Sequence, residues 1–451
     1  MLKHKKLFLT VTALTLAAVM TASLAGCSGK QTATQDIAPI PDSGASMDAA
    51  DPDASPAETL PSGGKAAGQS VDGSSSSPKA TEETAQGGGK KSGGNALDLE
   101  HASFDYVNPF SEGYAWVIHK GKIKVINKAG ETIFETDSDS YQTDIPMPFC
   151  GGVSCYNVER DYYIIDKEGN TLYQTKPYDE NDYEEILACG DGHFLVHRFS
   201  KGFRNGEKTG GHYLGTIDPN GNEATGFYPI DFTPQTKWEY LCDGVFYEPL
   251  DKKVFDSESG KCSSIGSDVN GIGNETNSVL SWPHSITAEN GKVWVELSNL
   301  HGLGILDVHT LEIQKFECAG KNDTYIIDNI GVVDGVYYDL NGEKVAEISA
   351  YLPNVIRRGK FSEAGCTPLV LQDGSSYITY VDKSGKDQFD PMIIDNNSSF
   401  TEDYFANPEG DYVVIYDHTG KEKCRKMVSD KKDLTLYDDY FIAGKNYYFF
   451  Q

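Results

Sequence analysis

His193 and His197 stand four residues apart in the stretch HFLVH. On a helix that spacing would bring two imidazoles to one metal ion, but on a strand it holds them about 13 Å apart. The aromatic, apolar and β-branched residues between them read as a strand, so no metal site is assigned. The stretch GFRNGEKTGG at 202–211 imitates a phosphate loop without the required spacing from its first glycine to Gly-Lys, and reads as a flexible hairpin. No Gly-x-Ser-x-Gly elbow is present for acyl transfer. The chain has 67 acidic residues, so a glycosidase-like carboxylate pair could be placed almost anywhere and its presence decides nothing. No residue is assigned to catalysis, a cofactor or a metal.

The elements that would have to position such groups are written as a repeat. IDKEGNTLY at 165–173 follows INKAGETIF at 126–134 by 39 residues. The frame is an apolar residue, then Asp or Asn, then Gly three or four positions on. It recurs as INKAG, IDKEG, IDPNG, FDSESG, YDLNG, VDKSG and YDHTG, and LDVHT keeps it without the glycine. The leading residues are Asn127, Asp166, Asp218, Asp256, Asp307, Asp339, Asp382 and Asp417, with a mean spacing of about 41 residues. Alternating β-branched and aromatic runs before each read as strands. Asp or Asn accepts backbone N–H groups two residues on, and Gly supplies the positive φ that re-enters a strand, so the phrase reads as a hairpin turn. A calcium loop would need further oxygen ligands at alternating positions, which these turns lack.

The upstream half repeats as well, in FSEGYAWV at Phe110, FCGGVSCYNV at Phe149 and FSEAGC at Phe361. Four strands in about 41 residues is the size of a propeller blade. The expectation is an all-β fold, a β-propeller of about eight four-stranded blades. Seven is the alternative, because LTLYDDYFIAGKNYYFF can complete a blade begun by N-terminal strands. Tyr-Tyr pairs such as Tyr162-Tyr163 and Tyr447-Tyr448 read as side chains alternating between two strand faces.

The unit resembles the WG-repeat family of bacterial proteins. Phe110, Glu112, Gly113, Ala115, Val117, Ile126 and Gly130 match its pattern in the first repeat, and Ile165, Asp166 and Gly169 in the second. The Trp-Gly pair itself is replaced by Ile123-Lys124 and Tyr162-Tyr163, with only Gly215 surviving in the third repeat. The resemblance implies an all-β repeat domain of a bacterial surface protein and transfers no catalytic residues.

The start of the chain has three lysines, an apolar run from Leu7, and Leu24-Ala25-Gly26-Cys27. This is the pattern of a secretory signal. Its end resembles the bacterial lipoprotein lipobox, which implies cleavage after residue 26 and a lipid on Cys27. From Ser28 to Leu97 there is no Phe, Tyr or Trp. Such a stretch buries too little apolar surface to offset its ordering entropy and is expected to be disordered. The organisation read is therefore 1–26 leader, 27–98 Ser/Gly/Pro/Ala-rich tether, and 99–451 repeat domain. Removing the leader, with three lysines and no acids, takes the formal charge from −28 to −31. That argues against nucleic acid as a partner.

The function expected is a membrane-anchored extracytoplasmic lipoprotein that presents a noncatalytic binding or scaffold module at the cell envelope. The alternative is an extracytoplasmic glycan-active enzyme. The expected partners are the membrane, through the N-terminal lipid, and a protein or glycan ligand.

Eight cysteines follow Cys27. Cys150, Cys189 and Cys242 precede glycine-containing turns in successive repeats, and most are read as small buried hydrophobes. Only Cys150 and Cys155 are near enough in sequence to suggest a local bridge.

Two repeat spacings are long: Asp166 to Asp218 is 52 residues and Asp256 to Asp307 is 51. The first excess falls in RFSKGFRNGEKTGGH, between second and third strands. The second falls in SDVNGIGNETNSVLSWPH, read as lying between one repeat's last strand and the next repeat's first. That reading puts both on the rim opposite the Asp turns. Arg198, Lys201, Arg204 and Lys208 on the first, with Trp282 and His284 on the second, are the expected ligand-binding residues.

Overall fold

The computed structural model describes residues 90–91, 96–137, 146–158, 160–204, 207–208, 210–234, 238–273, 288–298, 302–319, 323–352 and 354–450. All lie in the second of two units, Thr81–Gln451. The leader, Cys27 and the stretch through residue 89 lie outside the described residues.

The described residues hold no α-helix and form nine radial sheets, spanning 106–137, 153–174, 182–230, 239–264, 269–317, 324–347, 355–393, 399–427 and 435–449. Within each, consecutive strands pair antiparallel. Nine apolar clusters follow the same order, each joining one sheet to the next. Trp116 and Phe134 of blade 1 meet Tyr156 and Tyr163 of blade 2, and Trp294 of blade 5 meets Ile326 and Val333 of blade 6. The ninth brings Tyr440, Ile442 and Tyr447 of the last sheet against Ala115 and Val117 of the first. The ring is closed, with nine blades rather than the eight or seven expected.

Each sheet is buried on both faces, which explains strands that read as apolar runs rather than clean alternations. Successive side chains serve opposite neighbours. Tyr162 packs toward blade 3 and Tyr163 toward blade 1, while Tyr447 faces blade 1 and Tyr448 faces blade 8.

The repeated phrase joins third and fourth strands and is a turn. The carboxylate Oδ1 of Asp166 accepts the N–H of Glu168 at 3.0 Å and of Asn170 at 2.7 Å, and Asp339, Asp382 and Asp417 repeat the arrangement. The glycine has a second task. A Cβ on Gly221 would lie 2.1 Å from the ring of Tyr173, one on Gly260 2.1 Å from the ring of Tyr228, and one on Gly420 2.8 Å from Phe389. In each case the ring belongs to the preceding blade, so the turn is also an interblade contact.

The ninth blade escaped the count because it has three strands and no third-to-fourth turn. Its outer position is taken by the segment ahead of blade 1. Tyr447 N–H donates to Leu99 O at 3.1 Å, and Leu97 N–H donates to Gly130 O at 2.8 Å. Just upstream, Lys90–Lys91, inside the stretch read as tether, pair with Glu135 and Phe134 at the outer edge of blade 1.

Candidate functional site

The first long spacing lies where the repeat frame places it, between the second strand His193–Ser200 and the third strand Gly211–Ile217 of blade 3. Between them Phe203–Arg204 pairs with Glu207–Lys208 as a two-stranded extension, whose side chains lie outside the described residues. Lys201 is exposed, and its N–H is held by Asn181 O at 2.8 Å. Arg198 is not a free cation. Its Nε donates to Glu184 at 2.7 Å, its Nη1 pairs with Glu223, and its guanidinium lies 3.5 Å from the Phe227 ring centroid. Glu184 is buried and also accepts the Tyr173 hydroxyl at 2.8 Å, so Arg198 is consumed in joining blade 3 to blade 2.

The second long spacing falls elsewhere. Val269–Ile272, inside the stretch read as an insertion, is the first strand of blade 5 and pairs with Val295 and Leu297. Val269 and Ile272 are fully buried, which its glycine-rich wording concealed. Gly273 and Ala288, the described residues that flank the rest of that stretch, therefore lie between first and second strands, at the rim of the Asp turns and opposite the blade-3 extension, and residues 274–287 lie outside the described residues. Trp282 and His284 lie outside the described residues. The second stretch is thus not a connection between two blades, as the repeat frame reads it, because it contains a first strand.

Near the blade-3 extension the structure assembles three groups the sequence reading left apart. His197, fully buried, has Nδ1 3.0 Å from Glu185 Oε2 and Nε2 2.9 Å from His212 Nδ1. The two imidazoles stack with centroids 5.2 Å apart. A Glu185 carboxylate fixes Nδ1–H on His197, so Nε2 accepts from His212, whose outer nitrogen Nε2 faces the Thr233 hydroxyl at 3.4 Å as an acceptor. Burial and then the neighbouring His197 lower the pKa of His212. His212 was invisible as a partner because it lies across the inserted hairpin, in the third strand.

On the opposite rim the first-to-second turns of blades 1–4 surround two clefts. One, of about 410 Å³, is lined by Asp191, His193, Thr225, Asp243, Ser257 and Glu258 among others. The second, of about 240 Å³, is more apolar, with Met147, Phe149, Cys150, Cys189 and Trp238. Tyr240 lines both. Its ring lies on Gly190, where a Cβ would fall 1.9 Å from Cγ, so only glycine permits it. No local Cys150–Cys155 bridge forms, and of the eight described cysteines Cys155 and Cys366 are buried while the other six are half-buried. All eight described cysteines are free, and Cys150 meets Cys189 rather than Cys155, because a ring sets equivalent turns of adjacent blades side by side.

No protein-family model and no curated protein sequence matches the chain. Among solved structures it is similar to the dihydro-heme d1 dehydrogenase NirN, with 11% identity over 74% of this chain and 76% of that one and a TM-score of 0.38. It is also similar to the WD40 domain of SCAP from fission yeast, at 11% identity, 77% and 94% coverage and a TM-score of 0.36. A third is PorZ, a surface component of the type-IX secretion system of Porphyromonas gingivalis, at 9% identity, 75% and 49% coverage and 0.29.

Proposed function

We propose that the chain is a lipid-anchored extracytoplasmic protein of the WG-repeat kind whose propeller binds a polyhydroxylated ligand, a glycan of the cell envelope, without turning it over. The observation that carries the binding reading is the cleft at Tyr240. A partly exposed aromatic ring offers a face for a sugar, and Asp191, Asp243 and Glu258 offer acceptors for its hydroxyl groups. The anchor rests on Leu24-Ala25-Gly26-Cys27 and the aromatic-free stretch behind it. Treated as a flexible coil of about 70 residues, that stretch has a root-mean-square reach of roughly 45 Å.

The test is binding of the full chain to envelope polysaccharides. Changing Tyr240→Ala or Asp243→Asn should each weaken binding about tenfold, which is about 1.4 kcal/mol. Undiminished affinity in both variants, or no binding by the full chain, contradicts the assignment. The Glu185–His197–His212 chain favours a second reading, an enzyme acting on such glycans with His212 as proton acceptor. Turnover lost on His212→Gln would establish that reading instead.

A further inference from the structure

The turns between first and second strands of blades 2 and 3 touch: a Cβ on Gly151 would lie 2.8 Å from the Cα of Gly192. A cysteine precedes each turn. Cys150 and Cys189 are both partly exposed, and the Cys189 sulfur lies 3.9 Å from the Cys150 carbonyl oxygen. The blade-3 turn is a two-residue hairpin with Asp191 at φ 53° and Gly192 at φ 72°. In that I′ geometry neither central N–H belongs to the strand ladder. They are free of the ladder beside the Cys150 turn, where a Cβ on Gly151 would fall 2.9 Å from the Gly192 nitrogen, and they favour the ionised form of Cys150. Consecutive N–H groups of this kind form a concavity for an anion, here a thiolate.

We propose that Cys150 and Cys189 form a thiol–disulfide exchange site, with Cys150 as attacking thiolate, Cys189 as resolving thiol and a polypeptide disulfide as oxidising substrate. The Cys150 thiolate attacks one sulfur of the substrate disulfide, forming a mixed disulfide and releasing the other sulfur as a thiolate, which takes up a proton. Cys189 then loses its proton and attacks Cys150 Sγ, closing the Cys150–Cys189 disulfide and releasing the second substrate thiol. The substrate gains two electrons and two protons; the pair supplies both electrons and the Cys189 proton, and solvent returns the proton that Cys150 gave up on ionising.

The adjoining cleft of about 240 Å³ suits a polypeptide. Met147 and Phe149 give it an apolar lining, and the indole N–H of Trp238, 1% exposed, has no acceptor among the described residues and can donate to a peptide carbonyl. This site does not depend on the glycan reading.

The electrostatics agree. A hydrogen bond from Cys189, then the N–H groups of Gly192 and Asp191, outweigh burial and the Glu112 carboxylate to bring Cys150 down to about 6. Glu112 is itself occupied by the N–H groups of Gly151 and Gly152, at 2.8 and 2.9 Å, and by Lys167. The carboxylates of Asp191 and Glu239 complete the charged neighbours. Cys189 is held well above its ordinary value by its bond to Cys150 and by burial, as a resolving thiol should be until the mixed disulfide forms. Cys242 is the internal comparison. It precedes the equivalent turn of blade 4 and receives the Gly291 N–H, but faces Asp243 and Asp307 with no second thiol. Burial and those carboxylates push it to about 11.

The test uses the full reduced chain, with alkylation followed from pH 4 to 10 and each label assigned by peptide mapping. Thiolate fraction and intrinsic nucleophilicity oppose one another, so the midpoint rather than the rate at one pH is the readout. Labelling of Cys150 should rise with a midpoint near 6, and Cys189→Ser should move that midpoint upward. Glutathione disulfide, used as the probe, should give a protein lighter by two hydrogens with residues 150 and 189 linked. Cys189→Ser should stop at a glutathione adduct on Cys150, and Cys150→Ser should form neither. A Cys150 midpoint near 8.5, or an unresolved glutathione adduct on the unaltered protein, would overturn the proposal.

Discussion

The backbone N–H of Tyr447 donates to the carbonyl oxygen of Leu99 across 3.1 Å, tying the last strand of the ring to the segment that precedes the first blade. The same segment lies over Gly130, where a Cβ would fall 2.2 Å from Leu97 O. Closure removes the open edges that a row of hairpins would expose, and here these backbone contacts add to the apolar cluster of Tyr440, Ile442 and Tyr447 against Ala115 and Val117. Changing Gly130→Ala should destabilise by about 2 kcal/mol or more through its positive φ and this clash. The control is Gly113→Ala, with a similar φ of 87° but open space around it, which should cost the backbone strain alone. Amide exchange should show Tyr447 losing protection in the Gly130 variant and keeping it in the control.

The Asp turns are architecture, and their acid response can be worked out. Asp382 is held below its ordinary value of 3.8 by the Ser384 hydroxyl and then by the Lys386 N–H. A lowered native pKa means the unfolded chain binds more protons in that range. The stabilisation is therefore complete above about pH 4 and is lost as pH falls through the native value. All these bonds end on Oδ1, which asparagine retains, as Asn127 does in blade 1. Melting curves should show Asp382→Asn less stable than the parent at pH 7 by the amount the parent loses on protonation, and flatter than the parent between pH 4 and 2. Asp166→Ala, which removes the acceptor, should cost about 1 kcal/mol at neutral pH.

What was legible in the sequence was whatever depends on neighbours along the chain. The Asp-to-Gly phrase announces its own hydrogen bonds, and the Tyr-Tyr pairs announce two-sided strands. What lies between blades was not legible. The second duty of Gly221 and Gly260 depends on Tyr173 and Tyr228 of the preceding blade, and the approach of Cys150 to Cys189 needs ring geometry. Blade 9 was missed because the counted signal marks a turn it does not contain. Val269–Ile272 was missed because two of its four residues, Asn270 and Gly271, are common in turns.

Between blades 6 and 7 the Arg358 side chain is fully buried, with Nη2 2.9 Å from Asp323 Oδ2 and Nη1 3.2 Å from the Tyr337 hydroxyl. Removing one partner strands the other charge. Arg358→Met should cost about 3–5 kcal/mol in urea unfolding, and adding Asp323→Leu should recover much of it. A double variant as unstable as the sum of its single changes would show that the pair is not coupled.

His212 gives a second pH signature. Its native value lies below the ordinary 6.5 because of burial and then His197, opposed by Glu185. Between its native value and about 6.5 the unfolded chain binds the extra proton, so stability falls as pH drops through that window. The melting temperature should decline from pH 7 to 5.5, and His212→Gln should flatten the decline. Proton resonances of His212 should titrate below 6.5.

The central claim is that a closed propeller is held at a membrane surface by a lipid on Cys27. One chain alone holds only reversibly, so a stable anchor requires more than one. Mass spectrometry of the protein extracted from membranes of its own cells tests this most directly. The mature chain should begin at Cys27 and carry acyl chains, and Cys27→Ala should carry none and leave the membrane fraction or remain uncleaved. An unmodified Cys27 in membrane-bound protein, or unchanged fractionation and processing of Cys27→Ala, would contradict the account.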